Sequence, residues 1–469
     1  MSIADFFLIT QAIFLVYFIL LHGSYFSLNV LSIISIWNYM QERSISGLPN
    51  TYTGLEIPVS IIAPAYNEEA TITNSIKALL NLNYPDFEVI VVNDGSSDST
   101  MQVLINEFDL IIFPEAYLSG LPTQKIRQVY ISKKFPSLRV LDKDNGGKAD
   151  ALNAGINVSR FSLFCAVDAD SIIQTNSLEK IVQPFLEEPT TVAVGGTVRI
   201  ANGCSVRNGF LVKAGLPTNL LALFQVAEYL RGFLFGRLGW SPLNALLIIS
   251  GAFGVFHKET VVSVGGYLTN TIGEDMELIA RLHRLLRARN VPYKISFVPD
   301  PICWTEAPED LKTLRNQRIR WQRGLSESLA KNISLLFGKN SGAVGWLAMP
   351  FMLVFEWFGP IIELLGITLV IIGYYAGYLS AEVTIIFFTV AIGFGVLLSV
   401  VAVLLEEMSF HIYPKLRYIF ILLLVAILEN FGYRQLNSVW RLIATYQWAM
   451  GHKASWGEMK RSASWTEQE

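Results

Sequence analysis

Four short sets of acidic, amide and aromatic residues lie in order along the chain. They are Asp94 in NDGSSD, Asp168-Ala169-Asp170, Glu274-Asp275 after Gly273, and Gln317-Arg318-Ile319-Arg320-Trp321. Residues two apart on an extended segment project to the same side, so the Asp168 and Asp170 carboxylates face one point. They repel unless a cation lies between them, and Mg²⁺ or Mn²⁺ with oxygen ligands and substrate phosphates suits that arrangement. A solvated acidic loop is the plain alternative. The five histidines are dispersed, so a metal is expected to be held by carboxylates. Asp94 opens a Gly/Ser loop that ordinary turn chemistry explains, and an Asp at a strand end also accepts hydrogen bonds from a base or ribose. Glu274-Asp275 begins an amphipathic helix, where acids commonly complement the positive end. A carboxylate there can also deprotonate an attacking hydroxyl. Gln317, Arg320 and Trp321 share one side of a basic helix. Arg can clamp a diphosphate and Trp can offer its flat face to a sugar ring. On the plain reading the same helix lies on anionic headgroups, a role that suits Arg315, Arg318 and Arg323. Asn145-Gly146-Gly147-Lys148 precedes an Ala-rich helix, where backbone amides approach an anion and Lys148 adds charge. Together these features point to a nucleotide diphosphate and a metal.

The elements that must position these groups alternate between strand and helix patterns from about residue 55 to 310. Pro58–Ala63 reads as a strand ended by Pro64, and Asn67 as the cap of a helix from Glu68 to about Leu80. Phe87–Val92 and Leu163–Val167 are apolar runs suited to strands buried on both faces. The alternation predicts an α/β layer with a mostly parallel sheet, in which ligands bind at the carboxyl ends of the strands. Asn67, Asp94 and Asp168 each follow a strand, so one common pocket is expected.

Composition places this layer beside a bilayer. Of 469 residues 52% are hydrophobic and 16% charged, and the mean hydropathy is +0.41, too apolar for a simple soluble protein. Apolar segments of spanning length are expected at Phe6–Leu21 with Tyr25–Trp37, and at about Phe351–Tyr378, Val383–Leu405 and Tyr418–Glu429 with its extension. The first reads as retained, lacking a basic flank and a small-residue cleavage site. Met1 to Tyr39 carries no Lys or Arg, whereas the following segment is rich in both, which places the middle domain in the cytoplasm. The last apolar segment either crosses fully or turns along the inner interface. The net charge of −3 gives no argument for nucleic acid, and the three cysteines are too few and scattered for a disulfide framework. The expected organisation is an N-terminal transmembrane segment (1–45), a cytosolic domain (46–335), interfacial and transmembrane helices (336–450) and a short polar tail (451–469).

In order and spacing the four motifs resemble the D, DxD, (T/G)ED, QxxRW series of membrane-integrated family 2 glycosyltransferases, which include cellulose, hyaluronan, chitin and poly-N-acetylglucosamine synthases. The resemblance covers roughly residues 55 to 330 and extends to Ala63–Glu68, Asn145–Lys148 and Ser250–Gly254. It implies an α/β GT-A (Rossmann-like) cytosolic domain inserted between transmembrane helices, in a bacterial inner or plasma membrane, and inversion at the anomeric carbon. By position it implies that Asp275, with Glu274, is the catalytic base. Pro64, Ala65, Tyr66, Asn67, Glu68, Asp94, Lys148, Asp168, Gln317 and Arg320 would hold a UDP-sugar. Asp168 and Asp170 would hold Mg²⁺ or Mn²⁺. Trp321, Gly251, Ala252, Gln225 and Glu228 would face a glycan or lipid acceptor. Two further readings are a glycolipid synthase making a single transfer and a non-catalytic scaffold. The few apolar segments make a wide polymer channel within one subunit unexpected, so an accessory or export subunit, or a homo-oligomer, is the implied partner beside membrane lipids.

Overall fold

The computed structural model describes residues 3–45, 56–114, 119–207, 209–413, 415–452 and 466–467. The expected domain boundary near residue 46 and most of the expected polar tail lie outside the described residues.

The strands are β1 (Val59–Ala65), β2 (Phe87–Asn93), β3 (Leu110–Ile112), β4 (Ile126–Ser132), β5 (Leu138–Lys143), β6 (Leu163–Val167), β7 (Ile172–Ile173), β8 (Thr191–Ile200), β9 (Ser205–Arg207), β10 (Phe210–Lys213), β11 (Phe253–His257) and β12 (Lys294–Thr305). Ten of them form one sheet in the order β3-β4-β5-β2-β1-β6-β11-β8-β12-β7. Its centre, β5-β2-β1-β6, is parallel, whereas β11 runs antiparallel to both β6 and β8. The sheet is therefore mixed. The continuous apolar runs read as strands buried on both faces are so buried, with Val89 to Val92 and Ile61 to Ile62 inaccessible. Pro64 does not end β1; it continues the strand opposite Val92.

The register decides where chemistry can occur. Ala65 pairs with Asn93, Asn93 with Asp142, and Ile62 with Ala166, so β1, β2, β5 and β6 finish on one edge. The segments Pro64–Glu68, Asp94–Asp98, Asn145–Lys148 and Asp168–Asp170 all leave the sheet there. This is the carboxyl edge at which open α/β sheets bind ligands.

Long apolar helices flank this layer. Ile3–Gln41 and Ala381–Phe410 are long and apolar enough to cross a membrane, with only 22% and 28% of their most apolar windows buried. Their uncovered apolar surface matches a lipid environment rather than water. Val344–Trp357 with Gly359–Tyr375, and Leu416–Leu428 with Tyr433–Ala449, are bent pairs, at 44° and 53°, that would bring the count to four if each is one span.

Buried ion pairs join the two parts. Arg199 at the end of β8 donates from Nε and Nη2 to Glu406 of the helix Phe394–Phe410, at 2.5–3.0 Å, and both side chains are 1% exposed. Removing one partner of such a pair costs roughly 3–5 kcal/mol, because the other charge is left buried and uncompensated. The ten-stranded sheet and the apolar helix are thereby held as one packed unit.

Candidate active site

Asp94 follows β2 and is 3% exposed. Its Oδ1 accepts from the Gly146 amide at 3.0 Å and its Oδ2 from the Gly147 amide at 2.7 Å. The fully buried Lys143 bridges Asp94 and Asp150. Gly147 caps the helix Lys148–Val158 with φ +85°, a conformation open to glycine. A side chain on Gly95, at φ +66°, would meet the Asn145 nitrogen at 2.8 Å. Asp94 therefore shapes the turn that delivers Lys148 to the start of its helix.

Asn67 is not a helix cap. The helix begins at Ile72, and Asn67 sits at φ +55°. Its amide donates to Ser96 Oγ at 3.0 Å and its Oδ1 accepts from the Ser97 amide at 2.9 Å. The Glu68 amide likewise donates to Thr100 Oγ1, and the Glu69 carboxylate accepts from the Ser99 amide. Residues 67–69 are drawn to the neighbouring loop after β2, a tertiary preference that outweighs the local capping signal.

Lys148 is the centre of an acidic cluster. Its ammonium pairs with Asp168, donates to the Gly251 carbonyl at 3.3 Å and lies 3.9 Å from Glu274. Asp275 accepts from the Gly251 amide at 3.3 Å through Oδ2 and from the Met276 amide at 2.8 Å through Oδ1. Gly251 allows this approach, since a Cβ there would stand 2.9 Å from the Lys148 ammonium. Burial lowers the lysine's proton affinity, but Asp168, Glu274 and Asp275 outweigh it and hold the group above the ordinary lysine range. It is a fixed cation facing three acids.

Glu274 behaves differently. Burial pushes its carboxyl up, Lys148 opposes, and Asp275 adds to the rise, which brings it to about 7. A carboxyl harder to ionise in the folded protein than in the unfolded chain destabilises the fold once ionised. That cost is absent below the unfolded value of 4.5 and complete only above about 7. Glu274→Gln is thus expected to raise Tm at pH 8, by roughly 2–4 °C per kcal/mol recovered, and to leave it nearly unchanged at pH 4.5. Thermal melts of both proteins in the same detergent at the two pH values check this.

The helix Leu311–Lys331 carries Gln317, Arg320 and Trp321, and it meets the Glu274–Ala288 helix through two glycines. A Cβ on Gly273 would lie 2.7 Å from Gly324 Cα, and one on Gly324 would lie 2.9 Å from Gly273 Cα. This backbone contact sets the distance between Asp275 and the Gln-Arg-Trp face. Gly324→Ala is expected to force the helices apart, destabilise by about 1–3 kcal/mol and lower turnover. Denaturation and steady-state assays on one preparation test both effects.

Trp321 is 43% exposed and stands in the cavity wall with the Tyr229 ring at 6.4 Å. Arg318 lies over its indole at 4.4 Å and donates to Glu228 at 2.8 Å, and Tyr433 also donates to Glu228. Arg318 and Arg323 are buried, so neither takes the headgroup role expected from the basic helix; Arg323 donates to the His452 carbonyl. Gln225 is a second correction. It is fully buried, donates to the Leu221 and Pro308 carbonyls, and does not line the cavity. Glu228 and Tyr229, one turn further along the same side of the helix, line the cavity instead, while the Pro308 carbonyl holds Gln225.

These segments enclose one cavity of about 1790 Å³. Pro64 to Glu68, Asp94, Lys148, Asp168, Asp170, Glu228, Gly251, Ala252, Glu274, Asp275, Gln317, Arg320 and Trp321 all line it. The cavity continues between the apolar helices, past Tyr25, Glu356, Glu429, Arg434 and Arg441. No group of three or more His, Cys, Asp or Glu residues among the described residues is arranged to hold a metal. Two carboxylates in an open cavity still suit Mg²⁺ or Mn²⁺, which take their remaining oxygens from water and substrate phosphates.

The family model for glycosyl transferase family group 2 matches residues 163–428, more than half of the chain, and that for glycosyl transferase family 2 matches residues 60–114. The chain belongs to glycosyl transferase family group 2. It is similar to the poly-beta-1,6-N-acetyl-D-glucosamine synthases of Staphylococcus epidermidis, at 29% identity over 275 residues, and Staphylococcus aureus, at 31% over 278 residues. Each match covers 58% of this chain, and the chain spans about half, 56%, of the length of these curated relatives. Among solved structures it resembles the mannosyltransferase PcManGT of Pyrobaculum calidifontis, solved with GDP-Man and Mn²⁺. The TM-score is 0.50 and the identity 17%, over 92% of this chain and all of that one. That likeness supports the GT-A-like mixed α/β fold.

Proposed function

We propose that the protein transfers a hexose or N-acetylhexosamine from a UDP-sugar to a growing β-linked glycan, with inversion, at the cytosolic face of a membrane. The single observation that carries this reading is the common cavity, in which the four motifs converge and which continues between the apolar helices. That stretch carries Glu356, Glu429, Arg434 and Arg441 alongside apolar side chains such as Phe351, Phe355 and Leu398. Similarity to the staphylococcal synthases supports a glycan as the acceptor. The proposed layout is a spanning segment over 1–45, the cytosolic catalytic domain over 46–335 and membrane-associated helices over 336–450.

In this reading Asp275 takes the proton from the attacking acceptor hydroxyl, and the Gly251 amide orients its carboxylate. The Pro64–Glu68 segment and the loop shaped by Asp94 form the nucleoside end. Gln317 and Arg320 face the departing diphosphate, where a preorganised cation lowers the barrier as charge develops. Trp321, fixed by Arg318, presents its ring to the acceptor sugar. Asp168 and Asp170 are the residues to hold Mg²⁺ or Mn²⁺, which when bound neutralises charge on the diphosphate oxygens.

The test is product analysis after incubating purified protein with labelled nucleotide sugars. The expected product is a water-soluble or insoluble glycan of many residues formed from one UDP-sugar. A single labelled sugar recovered in the organic phase would replace the glycan acceptor with a lipid.

A further inference from the structure

The helix Leu311–Lys331 lays one face along a short irregular segment, residues 270–273, that turns directly into the Glu274–Ala288 helix. Residues recurring at alternate spacings of three and four share one side of a helix, and Gln317, Arg320, Gly324, Glu327 and Lys331 follow that rule. Gln317 and Arg320 line the cavity, and Gly324 meets Gly273. Beyond that contact, Glu327 Oε2 accepts from the Thr271 hydroxyl at 2.7 Å and from the Ile272 amide at 3.0 Å. Lys331 donates to Asn270 Oδ1 at 3.0 Å, and Ser328 donates from Oγ to the Gly273 carbonyl at 3.3 Å. The segment thus runs antiparallel along the helix face, joined to it residue by residue.

A segment outside helix and sheet has no ladder to satisfy its backbone groups or to fix its height, so side chains must do both. A carboxylate suits that task, because hydrogen bonds to an ionised acceptor are shorter and stronger than neutral ones. One oxygen that takes two donors ties the hydroxyl and the amide of successive residues to a single point. Asp275 stands three residues beyond Ile272, and Arg320 lies about two helical turns before Glu327. Neither Glu327 nor Thr271 lines the cavity, so neither touches what binds there.

We infer that Glu327 is a positioning residue: through Thr271 and Ile272 it fixes the proposed base, Asp275, at its distance from Arg320 and the departing diphosphate. The inference rests on the proposed sugar transfer and adds to it a residue that none of the four motifs contains. Chemistry between two held groups falls steeply when one of them is misplaced.

The test measures kcat, UDP affinity and Tm for Glu327→Ala, Glu327→Gln, Thr271→Val and the Glu327→Ala/Thr271→Val pair, with rates taken per UDP-binding site. Glu327→Ala should lower kcat roughly 10- to 100-fold, with UDP affinity kept within about threefold. Glu327→Gln, whose amide oxygen still accepts from both donors, should stay within about threefold of the wild-type kcat. Thr271→Val should lower kcat by at least about threefold, and it keeps the comparison available if Glu327→Ala does not fold. The double variant should fall no further than Glu327→Ala alone, because both changes break one link. A lower Tm with kcat per site unchanged would make the carboxylate a purely structural one and overturn the inference. So would an equal fall in UDP affinity, a Glu327→Gln variant as slow as Glu327→Ala, or losses that add in the double variant. A wild type that transfers no sugar from any UDP-sugar would instead overturn the proposed function beneath it.

Discussion

Asp275→Asn is expected to lower turnover by roughly 10²–10⁴-fold, the usual contribution of a positioned general base, while UDP affinity changes little. The expectation follows from what the side chain touches. Asp275 is held by two backbone amides, from Gly251 and Met276, and an asparagine keeps the shape and one of these two bonds while losing the proton-accepting charge. Lys148 remains paired with Asp168, so the diphosphate end of the cavity is not rearranged. Rates measured at saturating donor, with UDP affinity by calorimetry, separate the two effects. Turnover near the wild-type value would move the base elsewhere in the cavity.

Asp170→Ala is expected to act at the other end of the reaction. Loss of one of two hard oxygen ligands should weaken Mn²⁺-dependent UDP binding by on the order of 100-fold. The same substitution should have little effect when the metal is removed by a chelator, because the wild type then lacks the same contribution. Calorimetric titration of UDP with Mn²⁺ and with EDTA gives all four values. A variant that binds UDP equally well in Mn²⁺ would show that Asp170 is not a metal ligand. The two substitutions should therefore fail in different ways, Asp275→Asn in the chemical step and Asp170→Ala in donor binding.

Much of this site was legible in the chain because its motifs sit where strands end. Apolar runs such as Phe87–Val92 mark the sheet, and a parallel centre places Pro64–Glu68, Asp94 and Asp168 on one edge. The rest depends on partners distant in sequence. Gln225 and Glu228 lie three apart, yet the packing of Pro308 buries the first and the cavity receives the second. Arg318 and Arg323 look like surface cations on a basic helix until Glu228 and the His452 carbonyl meet them. Asn67 carries a capping residue's chemistry, but the Ser96–Ser97 loop claims it. Gly273 and Gly324 show no local signal of their contact, since neither needs a positive φ; only the approach of two helices demands that both lack a side chain.

In the proposed reaction one cavity performs a single displacement on a UDP-sugar with Asp275 as the base. Its most direct test is the anomeric configuration of the first product formed from an α-linked UDP-sugar, read by proton NMR before further processing. A β-linked product is expected. An α-linked product would contradict it, because retention requires two displacements or a front-face path in place of a single displacement.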